Sequence, residues 1–287
     1  MYLLLLVSLV WAFSFGLIKV RFAGIDPTAV AALRLAFAFV LFVPFFRRRG
    51  LGPGVMLRLT AIGAVQFGAM YLLYLRSFAC LKSYEVVLFT LFTPLYLTLI
   101  DAVLERRWLP RHAVAAALAV VGAAVVVWRE APGEDAARGF VLVQLSNVCF
   151  AAGQLGWRRA RAGLPASLRD TSLFALPFAG ALALTLAVSS FSTHWTALRL
   201  SGAQWAALAY LGLLSSGACF FWWNLGATRV NAGTLAVINN AKVPLGVACS
   251  LVFFGESADW PRLLAGGAVM ALAVAVAERG KGSASLT

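Results

Sequence analysis

Long apolar runs, broken only by short polar loops, fill this chain from its first residues almost to its last. A helix needs about 20 apolar residues to cross a ~30 Å hydrocarbon core. The runs predict ten such helices, at residues 2–18, 28–46, 58–78, 86–104, 112–128, 138–157, 170–190, 204–225, 232–254 and 261–277. The first run lacks a basic leader and a small-residue cleavage site, so it reads as a span rather than a removable signal. The loops leave no room for a soluble domain, and the only tail, 281–287, is small and polar.

Composition agrees with that pattern. Of 287 residues, 62% are hydrophobic and 12% charged, against about 25% charged in soluble domains. The net charge of +13 does not point to nucleic acid, because the arginines cluster in the short loops. They report topology and anionic lipid headgroups instead. With the N-terminus inside, the inner segments hold 14 basic residues and the outer ones 8, so both termini are predicted to be cytoplasmic. Cys80, Cys149, Cys219 and Cys249 stand singly, without metal-ligand or disulfide spacing.

The two halves echo each other. "TPLYLTLIDAVLERRWLP" at 93–110 parallels "VPLGVACSLVFFGESADWP" at 243–261, aligning Pro94 with Pro244, Glu105 with Glu256 and Pro110 with Pro261. "WAFSFGLIKVR" near the start weakly parallels "VCFAAGQLGWRR" from Val148. Residues 1–130 and 138–280 would then be two five-helix repeats. Five is odd, so the second copy enters the membrane from the opposite side, a plan common in secondary transporters. The expected fold is an all-α membrane protein with two inverted-topology repeats.

Polar residues inside such runs are costly, about 3 kcal/mol for a mid-helix charge on insertion scales. They persist where they face a cavity or a partner. The stretch "INNAKVP" places Asn239, Asn240, Lys242 and Pro244 together, ~12 Å into the membrane at 1.5 Å per residue. Pro244 removes the donor to the carbonyl of Asn240, as Pro94 does for Thr90. Lys242 is the candidate cation for an anionic substrate group, most simply a carboxylate; the alternative is a structural ion pair with Glu85 or Asp101. Asn239 and Asn240 either bind substrate or tie helices together. Gln66, Tyr71 and Tyr74 on one span, Trp222, Trp223 and Asn224 on another, and Phe13 near the start are candidate cavity walls for a flat organic ligand; each aromatic taken alone fits an interfacial belt or a lipid-facing position better. Arg34 reads as a snorkelling anchor. Glu105 and Glu256 read as caps for helix ends, and His112 and His194 as solvated loop residues.

No metalloprotease, hydrolase or phosphate-binding signature occurs. The chain is therefore not expected to be an enzyme, and no cofactor or metal is implied. Transport, if any, is downhill or ion-coupled.

"WAFSFGLIK", the arginine in "ALRLAFA", the glutamate in "LERR", "FFGES" and the five-plus-five repeat resemble the drug/metabolite transporter superfamily, EamA type. "YLRSFACLKSYEVVLFTLFTPLYLTLI", "LVQLSNVCFAAG" and "SSGACFFWWNLGATRVNAGTLAVINNAKVP" are similar to the biotin carriers within that family. The resemblance implies import of biotin across the bacterial inner membrane by alternating access, as a monomer or homodimer. Biotin offers a carboxylate for Lys242, a ureido ring for the amides and an apolar bicycle for the aromatics. The family pattern has histidine where this chain has Lys242. The cation survives that change, but a switch titrating near neutral pH does not. Glu85, in "SYEV", becomes the candidate coupling residue, with Arg76, Pro94 and Pro244 as gating candidates. The alternative function is export of amino acids or other amphipathic metabolites. A membrane scaffold without transport gains nothing from a buried lysine at a broken helix.

Overall fold

The computed structural model describes residues 2–48, 50–104, 106, 114, 117–118, 121–122, 125, 134–228 and 232–278. All regular structure among them is helical. The helices are α1 (Tyr2–Arg21), α2 (Pro27–Phe45), α3 (Pro53–Ser77), α4 (Ser83–Leu104), α5 (Glu134–Ala162), α6 (Asp170–Ser192), α7 (Gly202–Ala227), α8 (Ala232–Phe253) and α9 (Trp260–Glu278). They match the apolar runs to within a few residues. The predicted run at 112–128 lies largely outside the described residues, as does Glu105. Among the described residues, seven helices are long and apolar enough to cross a membrane, and Lys242–Phe253 and Trp260–Ala273 are shorter apolar stretches.

The helix starts follow local chemistry. Pro27 opens α2 behind Asp26, whose carboxylate accepts the Thr28 N–H at 2.8 Å. Proline costs nothing at that position because its missing N–H would be unpaired there anyway. Pro53 opens α3 in the same way. Ser201 and Gln204 form a reciprocal capping box at α7.

Three helices depart from regular α geometry near their middles. Residues Ala64–Ala69 of α3 and Tyr210–Ala218 of α7 are π-helical. Such wide turns cluster at functional sites. In α4, a 3₁₀ turn at Thr90–Phe92 separates two α segments. The Thr90 carbonyl that Pro94 leaves without its helical donor is taken by the Thr93 hydroxyl at 2.9 Å. Pro244 sits inside the continuous helix α8.

Small residues set the closest crossing. A Cβ on Gly63 of α3 would lie 1.9 Å from the Pro177 carbonyl oxygen, and one on Gly180 of α6 would lie 1.9 Å from that of Thr60. The two helices thus interlock backbone to backbone. Elsewhere α1 packs on α8, α2 between α6 and α7, and α4 between α5 and α8.

Charged side chains fasten one end of the bundle. The Lys19 ammonium donates to the carbonyls of Phe78 and, at 2.8 Å, Leu81. Both carboxylate oxygens of Glu256 accept from the start of α4, from Ser83 N–H at 2.9 Å and Tyr84 N–H at 3.1 Å. Lys82 returns the contact through the Ser257 carbonyl at 2.9 Å. Glu256 therefore caps a helix, but the helix belongs to the other half of the chain. Replacing it with alanine should cost about 1–2 kcal/mol, the usual worth of an N-cap. We expect Glu256→Ala to lower the melting temperature of the detergent-solubilised protein by a few degrees, and Glu256→Gln, which keeps one acceptor, by less. An unchanged melting temperature in the alanine variant would show that the contact carries no stability.

Candidate functional site

Seven of these helices converge on one central cavity of about 80 Å³. α1 presents Trp11, Ser14, Phe15 and Ile18, a stripe at helical spacing. Arg34 comes from α2, Tyr71 and Tyr74 from α3, and Thr90 from the 3₁₀ break in α4. Ser146, Asn147 and Phe150 of α5 face Ser215 and Phe220 of α7, and Lys242 enters from α8. A wider cavity of about 280 Å³ lies toward the Lys19 end, and Ile18 borders both.

Lys242 is 5% exposed. Its ammonium donates to Asn239 Oδ1 at 2.9 Å, one helical turn back, and lies 5.4 Å from the Trp11 ring centroid. It forms no ion pair among the described residues. Asp101 instead bonds Arg159 at 3.3 Å, and Glu85 accepts the Lys82 N–H at 2.8 Å as part of the α4 cap. The contact with the Trp11 face offsets part of the ammonium's desolvation and leaves its remaining donors available. The Asn239 amide nitrogen is likewise buried without a partner.

An aromatic shell surrounds this cation. Trp11 lies 5.1 Å from both Trp223 and Phe220, and Tyr71 meets Tyr74 at 6.0 Å. The polar seams between the walls are satisfied locally. Trp11 Nε1 donates to the Ser215 carbonyl at 2.9 Å, and Ser14 to the Ser215 hydroxyl at 3.0 Å. Asn147 donates to the Phe89 carbonyl at 2.8 Å, just before the break in α4.

Other predicted residues lie away from the cavity. Gln66 donates to Asn224 Oδ1 at 3.1 Å, and Asn224 to the Phe220 carbonyl at 3.0 Å, so this amide pair ties α3 to α7. Trp223 is buried behind Trp11, whereas Trp222 is half-buried on the outer side of the core. Phe13 is 39% exposed and packs on Phe253, Phe254 and Tyr210. Arg76 donates to the Thr28 hydroxyl at 3.3 Å. The Asn240 side chain and His112 lie outside the described residues, and His194 sits in the loop between α6 and α7.

Sequence reasoning passed over several lining residues. Ser215 and its neighbour Ser216 stand in "LLSSGA", and Ser146 and Asn147 in "QLSN"; each is a polar pair inside an apolar run, the signal that singled out "INNAK". Arg34 is the larger surprise. It does not snorkel but is 1% exposed and lines the cavity.

A sequence model described as the EamA-like transporter family matches residues 1–129 and again residues 137–277. The chain is 39% identical over 279 residues to a "Probable biotin transporter" of Pseudomonas aeruginosa, covering 97% of each. It is 36% identical to a "Biotin transporter" of Salmonella typhimurium and 35% identical to one of Escherichia coli K12, in each case over 94% of this chain and 90% of the relative. A solved crystal structure superposes with a TM-score of 0.66 at 20% identity, covering 96% of this chain and 95% of the other, a likeness of fold.

Proposed function

Because the chain belongs to the EamA-like transporter family, and so is a multi-pass membrane transporter rather than an enzyme, we propose that it imports biotin across the bacterial inner membrane by alternating access. The names of its relatives support the substrate. So does the cavity, where a buried ammonium with no counter-ion among the described residues meets aromatic walls and short polar groups. The observation that carries the reading is Lys242, held in place by Asn239 and Trp11 and free of any carboxylate among the described residues. In this reading its ammonium meets the substrate carboxylate. Tyr71, Tyr74 and Trp11 flank the bicycle.

The architecture we propose is ten helices in two inverted five-helix repeats, residues 1–130 and 138–280, with both termini cytoplasmic. The π segments in α3 and α7 fall at equivalent places in the two halves, which supports that arrangement. The Lys19–Glu256 end is then the outer face. Glu85, Arg76, Pro94 and Pro244 stand where movement between the repeats would act. Rocking of the halves opens the cavity to each side in turn.

Uptake of radiolabelled biotin into cells or vesicles tests this directly. Unlabelled desthiobiotin should compete, whereas lysine and phenylalanine should not. Biotin-independent resistance to a toxic amino-acid analogue, with no biotin uptake, would instead mark an exporter.

A further inference from the structure

Lys242 is not the only cation in the cavity. Arg34 is buried at 1% exposure, well inside α2. Its Nη2 donates to the Tyr71 hydroxyl at 2.9 Å and to Ser216 Oγ at 3.1 Å, and its Nε to the same Ser216 oxygen at 3.3 Å. The guanidinium carbon lies 4.4 Å from the Tyr71 ring centroid. Tyr71 and Ser216 thereby hold the planar fork in one orientation. Its other amino group, Nη1, is buried with no partner. Arg34 forms no ion pair among the described residues, yet it lines the same cavity as Lys242.

A buried charge left unpaired is strongly unfavourable. Two of one sign around a small cavity also repel each other. One anion placed between them would relieve both. Nε and Nη2 are engaged on Ser216 and Tyr71, so an anion would be met by the N–H groups of Nη1, a charge-assisted contact. Resting on the reading above that the cavity takes a small carboxylic acid, we propose that Arg34 is a second direct ligand of the substrate carboxylate, acting through Nη1 opposite Lys242. The Tyr71 and Ser216 hydroxyls are its positioning groups.

The test compares biotin with biotinamide, which has the same shape but no charge, as competitors of labelled biotin uptake in vesicles carrying the full-length protein. In the wild type, biotin should compete at least about tenfold better, as expected for a charge-assisted contact. In Arg34→Gln the ratio should fall severalfold below the wild-type value without vanishing, because Lys242 still meets the carboxylate, while Arg34→Lys should retain most of it. The ratio does not depend on how much folded protein each preparation holds, so a partly unstable variant still reports. If Arg34→Gln lowers uptake of both molecules but keeps the wild-type ratio, Arg34 merely ties α2 to α3 and α7 and the proposal falls. A wild type that takes up labelled biotin but prefers neither competitor removes this inference and the carboxylate role of Lys242, whereas one that takes up no labelled biotin removes the biotin reading beneath them.

Discussion

Lys242→Ala abolishes biotin uptake, to below about one hundredth of the wild-type rate, while the protein still reaches the membrane. The expectation follows from the arrangement around the ammonium. Lys242 is 5% exposed, bonded to Asn239 and set against the Trp11 ring. A buried charge-assisted contact is worth about 2–5 kcal/mol when one partner is truncated, and every 1.4 kcal/mol is tenfold. Removal leaves Asn239 Oδ1 without its donor and a void beside Trp11, but it breaks no ion pair among the described residues, so the bundle should survive. Growth of a strain dependent on trace external biotin, read beside membrane abundance, checks both halves of the statement. Lys242→Arg should retain a fraction of the activity, limited by the bulk of the fork. Normal growth with the alanine variant would remove Lys242 from the binding site.

Gly180→Leu prevents folded protein from accumulating. A Cβ added at Gly180 would sit 1.9 Å from the Thr60 carbonyl oxygen, and one at Gly63 would meet the Pro177 carbonyl equally closely. Both obstructions are backbone, so no rotamer change relieves them and α6 must move off α3. Overpacking a tight interior usually costs about 1–3 kcal/mol, occasionally more; a crossing interlocked at two points belongs at the upper end. Size-exclusion chromatography of a fluorescent fusion should show aggregate in place of the monodisperse peak. Gly202→Ala provides the control, because nothing lies within 4 Å of its added carbon, and its profile should match the wild type. A monodisperse Gly180→Leu would mean that the crossing is slack.

The helices were legible because bilayer thickness fixes their length and the chain spells each one as an apolar run between arginine-rich loops. The freed Thr90 carbonyl followed from the missing donor of Pro94, but its fate did not: that Thr93 would occupy it is a matter of side-chain rotamer. The interruption expected at Pro244 is not seen, since α8 runs through it as one helix. The cavity was only partly legible. Lys242 stood out as a cation beside amides and a proline within one apolar run, and Tyr71 and Tyr74 as aromatics on one span. Arg34 did not, because a long cationic side chain two turns into a helix looks the same whether it reaches back to the headgroups or turns inward. The Tyr71 and Ser216 hydroxyls on α3 and α7 decide that, and no local pattern encodes it. Gln66 and Asn224 show the converse, since an amide satisfied by another amide is indistinguishable in sequence from one awaiting a ligand. The α1 stripe of Trp11, Ser14, Phe15 and Ile18 was available from helical spacing alone, and it places Phe13 on the opposite side.

The fastening at the Lys19 end has a genetic consequence. Lys19, Lys82 and Glu256 all grip main-chain atoms, at residues 78, 81, 83, 84 and 257. The identities of the gripped residues are therefore nearly irrelevant to the clasp, whereas the three gripping side chains are not interchangeable. At the buried positions 78, 81, 83 and 84, sensitivity in a mutational scan should therefore report packing, while loss of the clasp itself should trace to two lysines and one glutamate.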